Sequence, residues 1–172
     1  MTPSADPTPH LVFMGISGAG KSTVAEAVRE RLGWEFAEGD DFHPEANVAK
    51  MREGIPLTDA DRWGWLESLA AWTAERDARG EPTIITCSAL RRAYRDVLRR
   101  GGEGTFFVHA TGDKHMILER MNARDHFMPP SLLESQLDTL EPLQRDEAGM
   151  DVDPALPVDR IAALVLARLD LA

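Results

Sequence analysis

The chain has 172 residues, enough for one domain with its own core, and its 29 acidic against 19 basic side chains give a net charge of −10. That balance excludes the basic face of a nucleic-acid binder, and no apolar run approaches the roughly 20 residues needed to cross a bilayer. The single cysteine, Cys87, excludes an internal disulfide and fits a reducing, cytoplasmic setting; at the end of an apolar run it reads as a small core residue.

Residues 1–9, rich in Pro and Thr, lack the basic and apolar regions of a signal peptide and read as a short disordered tail. Residues 10–172 read as a single domain without a dividing linker. His10–Met14 is an apolar strand, and Gly15-Ile16-Ser17-Gly18-Ala19-Gly20-Lys21-Ser22 matches the phosphate-loop pattern G-x-x-x-x-G-K-[ST] in full. A helix follows to Leu32, with Val24, Ala27, Val28 and Leu32 on one face. Glycines let a backbone wrap a phosphate with its N–H groups inward, and the helix start adds its positive dipole end. Gly15, Ser17, Gly18, Ala19, Gly20, Lys21, Ser22 and Thr23 are therefore candidates for binding ATP. Lys21 can reach the terminal phosphates and the Ser22 hydroxyl can hold Mg²⁺.

Trp34–Ala37 reads as a second strand, ending at Glu38-Gly39-Asp40-Asp41. Carboxylates just past a parallel strand face the ligand crevice. One of them can take the proton of an attacking hydroxyl, and a second can orient Mg²⁺ through water. A polar helix over residues 44–52 and a long helix over residues 59–79 follow, the latter with a core stripe of Trp65, Leu69 and Trp72. Asp59 and Asp61 after Thr58 read as the first-turn acids of that helix. Thr83–Cys87 is a third strand, leading to a basic helix over residues 89–100 that Gly101 and Gly102 end. Thr105–His109 is a fourth strand, with helices over 113–124 and 131–140 after it. A short strand over 149–152 precedes a C-terminal helix buried through Val158, Ile161, Ala162, Val165 and Leu169. Alternating strands and helices predict an α/β fold of three layers around a parallel sheet of about five strands, with a helical lid at about 124–140.

So acidic a chain must gather positive charge locally to handle anions. Basic residues cluster at Lys50 with Arg62, at Arg91, Arg92 and Arg95, and at Arg120 with Arg124. The last two lie four apart, on one helix face, before the irregular stretch Asp125–Pro130, as a closing lid requires. An ordinary solvated face is the alternative for each cluster, and it is expected to hold for at least one of Arg91, Arg92 and Arg95. No guanine-selecting Asn-Lys-x-Asp segment is present, and the third strand lacks the terminal Asp-Glu pair of motor ATPases. What fits is a small-molecule phosphotransferase.

The stretches MGISGAGKST, EGDDFHPEANVAKMREGIPLTDADRWGWL, CSALRRAYRDVLR and HFMPPSLLESQLDTLEPL, reaching from Met14 to about Leu143, resemble the gluconate kinases, small phosphate-loop kinases related to shikimate and adenylate kinases. The resemblance implies ATP-dependent phosphorylation of D-gluconate at its 6-hydroxyl. It implies Asp40 as the base, with Lys21, Arg124 and Mg²⁺ stabilising the transferring phosphoryl group and Arg120 near the nucleotide. His43, Lys50, Arg62, Arg91 and His126 are implied to hold gluconate. This sequence departs at the lid entrance, where Arg124-Asp125-His126-Phe127 is one residue shorter than the family's Arg-x-Gly-His-Phe, and at Glu38, where an aspartate is common. Dimers are common in that family, but no exposed apolar stripe assigns an interface. Residue types and spacing alone leave two alternatives open: a kinase for a related sugar acid or polyol, and a nucleotide-binding regulator that has lost catalysis.

Overall fold

The computed structural model describes residues 6–16, 19–112, 119 and 131–171. Five parallel strands, β1 (Pro9–Met14), β2 (Glu35–Glu38), β3 (Thr83–Thr86), β4 (Gly104–Ala110) and β5 (Gly149–Val152), form one sheet in the order β2-β3-β1-β4-β5. Helix α1 (Lys21–Leu32) packs against α6 (Val158–Arg168), and α3 (Asp59–Asp77) packs against α4 (Arg92–Arg99). The central strands β1, β3 and β4 are near-continuous apolar runs, as strands covered on both faces must be. Leu11, Phe13, Ile84 and Phe107 lie in the core with Val28 of α1, Trp65, Leu66 and Leu69 of α3, and Ile161 and Val165 of α6.

The parallel α/β architecture and the strand count agree with expectation. β1 starts one residue early, at Pro9, which pairs in register with Gly104. Helices α2 (Glu45–Arg52) and α5 (Ser131–Thr139) fall where periodicity places them, while the predicted helix over 113–124 lies almost wholly outside the described residues. Thr58 caps α3 through a reciprocal box with Asp61: the Asp61 N–H donates to the Thr58 hydroxyl at 3.2 Å and the Thr58 N–H to the Asp61 carboxylate at 2.9 Å.

One boundary needs correction. The helix predicted from residue 89 starts only at Arg92, because buried Ala89 adopts φ +47°, a left-handed conformation that ends any right-handed run. Such a residue costs about 1–2 kcal/mol. Its carbonyl is held at 2.9 Å by Nη1 of Arg95. Cys87–Leu90 therefore forms an irregular loop over the strand ends instead of a first helical turn.

Candidate active site

The carboxyl ends of β1, β2 and β3, adjacent in the sheet, open into one cleft, where open α/β sheets bind ligands. At β1, Gly15 turns the chain with φ +146°, and a side chain there would meet the Ala110 carbonyl at 2.8 Å. Lys21 then starts α1 and faces the cleft.

At β2 the backbone comes unusually close to β3. A Cβ on Gly39 would lie 2.0 Å from the Thr86 carbonyl oxygen, so no other residue fits between the two strand ends. The Gly39 N–H donates to Thr86 Oγ1 at 3.2 Å, and its carbonyl accepts from Trp65 Nε1 at 2.7 Å. Thr86 in turn donates to Glu38 Oε2, which also accepts from the Ser22 hydroxyl at 3.2 Å. Gly39 is thus the hinge pin between the phosphate-loop side and the acidic turn Gly39–Phe42. In Gly39→Ala the overlap forces the strand ends apart, and we expect about 1–3 kcal/mol of destabilisation by thermal or denaturant melting. An unchanged melting curve would contradict this close approach.

The cleft brings together Lys21, Asp40, His43 and Arg62. Met51, Ile55, Pro56, Leu57 and Leu90 supply apolar wall, and Ser88, Ser135 and Gln136 add polar groups. Asp40 is 44% exposed, with the buried His43 ring as its neighbour at 3.8 Å. His43 stacks on Trp65 with centroids 3.9 Å apart and receives the Asn47 amide at 3.3 Å from Nδ1. Burial, reinforced by the nearby Arg62 charge and opposed by Asp40, pushes the His43 imidazole down to about 4. At neutral pH it is therefore an uncharged hydrogen-bonding ring.

Two of the expected substrate residues do not line the cleft. Lys50 Nζ donates to Asp61 Oδ2 at 2.7 Å, a bond that holds the Asp61 carboxyl down at about 2. Arg91 Nη1 donates to Asp59 Oδ2 at 3.3 Å. The other two arginines of the α4 cluster are structural. Arg92 forks onto Asp146 at 2.6 and 2.7 Å, and fully buried Arg95 pairs with Glu147 at 2.7 and 3.0 Å. Ser17, Gly18, Arg120, Arg124 and His126 lie outside the described residues. Cys87 is buried and its thiol is pushed up to about 12 by that burial, which accords with a core role.

Sequence reasoning missed Ser88, Leu90, Ser135 and Gln136 as lining residues. Their only signal was their place in loops or helices following strands. It also missed a second cleft beside the start of α1, lined by Gly20, Thr23 and Val24 with Pro154, Leu156, Pro157, Val158 and Ile161. Among the described residues no group of three or more His, Cys, Asp or Glu side chains could cage a metal, and no helix is long and apolar enough to cross a membrane.

Comparison with known proteins agrees with this geometry. A family model described as an AAA domain matches residues 11–143. A gluconokinase from Gluconobacter oxydans is 50% identical over 138 residues, 80% of this chain and 78% of the relative. The unliganded crystal structure of a sugar kinase from Janibacter sp. HTCC2649 superposes with TM-score 0.93 at 52% identity, covering 96% of both chains. The crystal structure of a gluconokinase from Sinorhizobium meliloti 1021 superposes with TM-score 0.84 at 46% identity, covering 96% of this chain and 95% of the other. With a phosphate loop, an acidic turn and a cationic cleft at adjacent strand ends, and identity of this extent over most of its length, the chain belongs to the gluconokinase family of phosphate-loop kinases.

Proposed function

We propose that this protein transfers the γ-phosphoryl group of ATP to the 6-hydroxyl of D-gluconate, giving 6-phospho-D-gluconate and ADP. One observation carries the reading: Lys21 of the phosphate loop, the carboxylate of Asp40 and the guanidinium of Arg62 line one cleft. Phosphoryl transfer needs positioning and charge neutralisation more than covalent help. Lys21 supplies charge at the transferring group. Asp40 accepts the proton of the attacking hydroxyl, which hydrogen-bonds to it. Arg62 anchors the carboxylate end through its planar fork, and His43, neutral above about pH 4, offers a hydrogen bond to the polyol. The polyphosphate runs along residues 15–22, and the adenine end takes the second cleft, whose proline and leucine walls suit a flat ring.

Mg²⁺ fits the hard oxygen set that Ser22 and Glu38 share at 3.2 Å, and a site with few protein ligands suits an ion that keeps its waters and binds phosphate. When bound it supplies further charge neutralisation on the phosphates. Arg120, Arg124 and His126 complete this reading as lid residues, with Arg124 on the transferring group and His126 on the sugar acid. A reducing cytoplasm suits a chain whose single thiol is buried.

The test is ADP formation from ATP, followed by a coupled assay across gluconate, other sugar acids and neutral polyols. Gluconate is expected to give the highest kcat/KM. A preference for another acid would overturn the acceptor alone, and no stimulation by any acid would overturn the kinase reading.

A further inference from the structure

Two cations face the substrate cleft among its described lining residues, Lys21 and Arg62. Lys21 belongs to the phosphate loop, so among these described residues the carboxylate of a sugar acid falls to Arg62. Arg62 does not stand alone. Its Nη1 donates to the Tyr94 hydroxyl at 2.9 Å, and that hydroxyl in turn donates its hydrogen bond to Asp59 Oδ1. The guanidinium carbon lies 5.3 Å from the Tyr94 ring centroid. The ring is buried and pinned edge-on by Trp63 at 5.6 Å. Asp59 Oδ1 lies 3.7 Å from the same Nη1, and its second oxygen accepts from Arg91.

The chemistry of this chain of contacts is directional. A phenol hydroxyl has one proton to give and lone pairs to receive. With the proton committed to Asp59, the lone pair faces Arg62 and takes one N–H of its fork. An arginine side chain left free loses much rotamer entropy when it captures a ligand, and one already held does not. We propose that Asp59 and Tyr94 are positioning residues that set the preference of the cleft for an acid over a neutral polyol, by holding Arg62 with the rest of its fork open to a carboxylate. The proposal rests on the sugar-acid kinase reading above. It also gives Asp59 a role beyond that of a first-turn helix acid.

The experiment is steady-state kinetics on Tyr94→Phe and Asp59→Asn, with D-glucitol, the neutral analogue of the same chain length, as competing ligand. Tyr94→Phe removes one oxygen and keeps the ring packing, so its melting temperature reports whether the fold is intact. In both variants the KM for gluconate is expected to rise about tenfold or more, the usual effect of losing a hydrogen bond to a charged group. The kcat should change by less than about threefold, and the KM for ATP should hold, as befits residues acting through Arg62 on one substrate. The ratio of the glucitol inhibition constant to the gluconate KM should fall by the same factor. Asp59→Glu, which keeps the charge, should recover part of the loss. An unchanged gluconate KM in Tyr94→Phe overturns the proposal, and so does an equal rise in both KM values, which marks a merely structural role. A wild-type enzyme that responds to no sugar acid would instead overturn the reading beneath it.

Discussion

Replacing Asp40 by Asn is expected to lower turnover by more than about a hundredfold, the low end of what a positioned general base contributes, while nucleotide affinity stays near that of the wild type. The substitution keeps shape and removes only the capacity to take a proton. Asp40 follows β2, which β3 separates from the phosphate-loop strand β1, and it is half-exposed, with the uncharged His43 ring as its neighbour at 3.8 Å. Among the described residues no side-chain hydrogen bond consumes its carboxylate, which leaves it open there to an incoming hydroxyl. Initial rates of ADP release with saturating gluconate, together with ATP titration calorimetry, separate the two quantities. Near-normal turnover would remove Asp40 from the role, and a matching loss of ATP affinity would make it a nucleotide ligand instead.

The second large effect concerns stability. Arg95 is fully buried, and so is the Glu147 side chain. The guanidinium donates to both Glu147 oxygens, to the Ala89 carbonyl at 2.9 Å and to the Pro142 carbonyl at 3.3 Å. Glu147 also accepts from the Gln144 N–H at 2.8 Å and from Arg99. Arg95→Leu leaves the buried Glu147 carboxylate with Arg99 as its remaining cation among the described residues and releases the left-handed residue of the β3–α4 loop, and breaking a buried pair in this way costs about 3–5 kcal/mol. For a chain of this size that is a fall in Tm of about 10 °C. The double variant Arg95→Leu/Glu147→Leu should recover part of the loss, because no unpaired charge remains. A single variant that melts within about 2 °C of the wild type, below the shift of even 1 kcal/mol in larger domains, would show the pair to be energetically idle.

The same network predicts an acid limb. Burial alone would raise the Glu147 carboxyl, but Arg95, the Gln144 N–H and Arg99 outweigh it and hold the group at about 2, against 4.5 for a free side chain. A carboxyl depressed on folding contributes its full stability above the unfolded value and loses it as pH falls toward the folded one. Stability should therefore decline between about pH 4.5 and pH 2. In Glu147→Gln this limb should be shallower.

How much was legible in the sequence depended on how local the cause was. The phosphate-loop pattern, the helix start at Thr58 with its first-turn acids and the apolar strands are written in adjacent residues and were read as such; the capping box that Asp61 closes was not, and the structure adds it. The basic cluster of α4 was not resolvable in that way. Arg91, Arg92 and Arg95 look alike along the chain, yet one is tied to Asp59, one forks onto Asp146 and one is buried on Glu147. Their partners lie 32 to 54 residues away, and spacing within a helix carries no information about them. Asp59 was readable only as a helix acid for the same reason: Tyr94, 35 residues on, gives it a second function.

Taken alone, the sequence determined that the chain binds nucleotide phosphates and folds as a parallel α/β domain, because both follow from short-range geometry: glycines around a phosphate, and apolar runs between helices. The tertiary structure decided which cations serve the cleft and which hold the fold. A cation in an acidic protein can be buried in a pair, tied to a surface acid or turned toward a ligand, and only the packing of α3 on α4 and the contacts of Pro142 and Glu147 with α4 place Arg62 at the cleft and Arg95 in the interior.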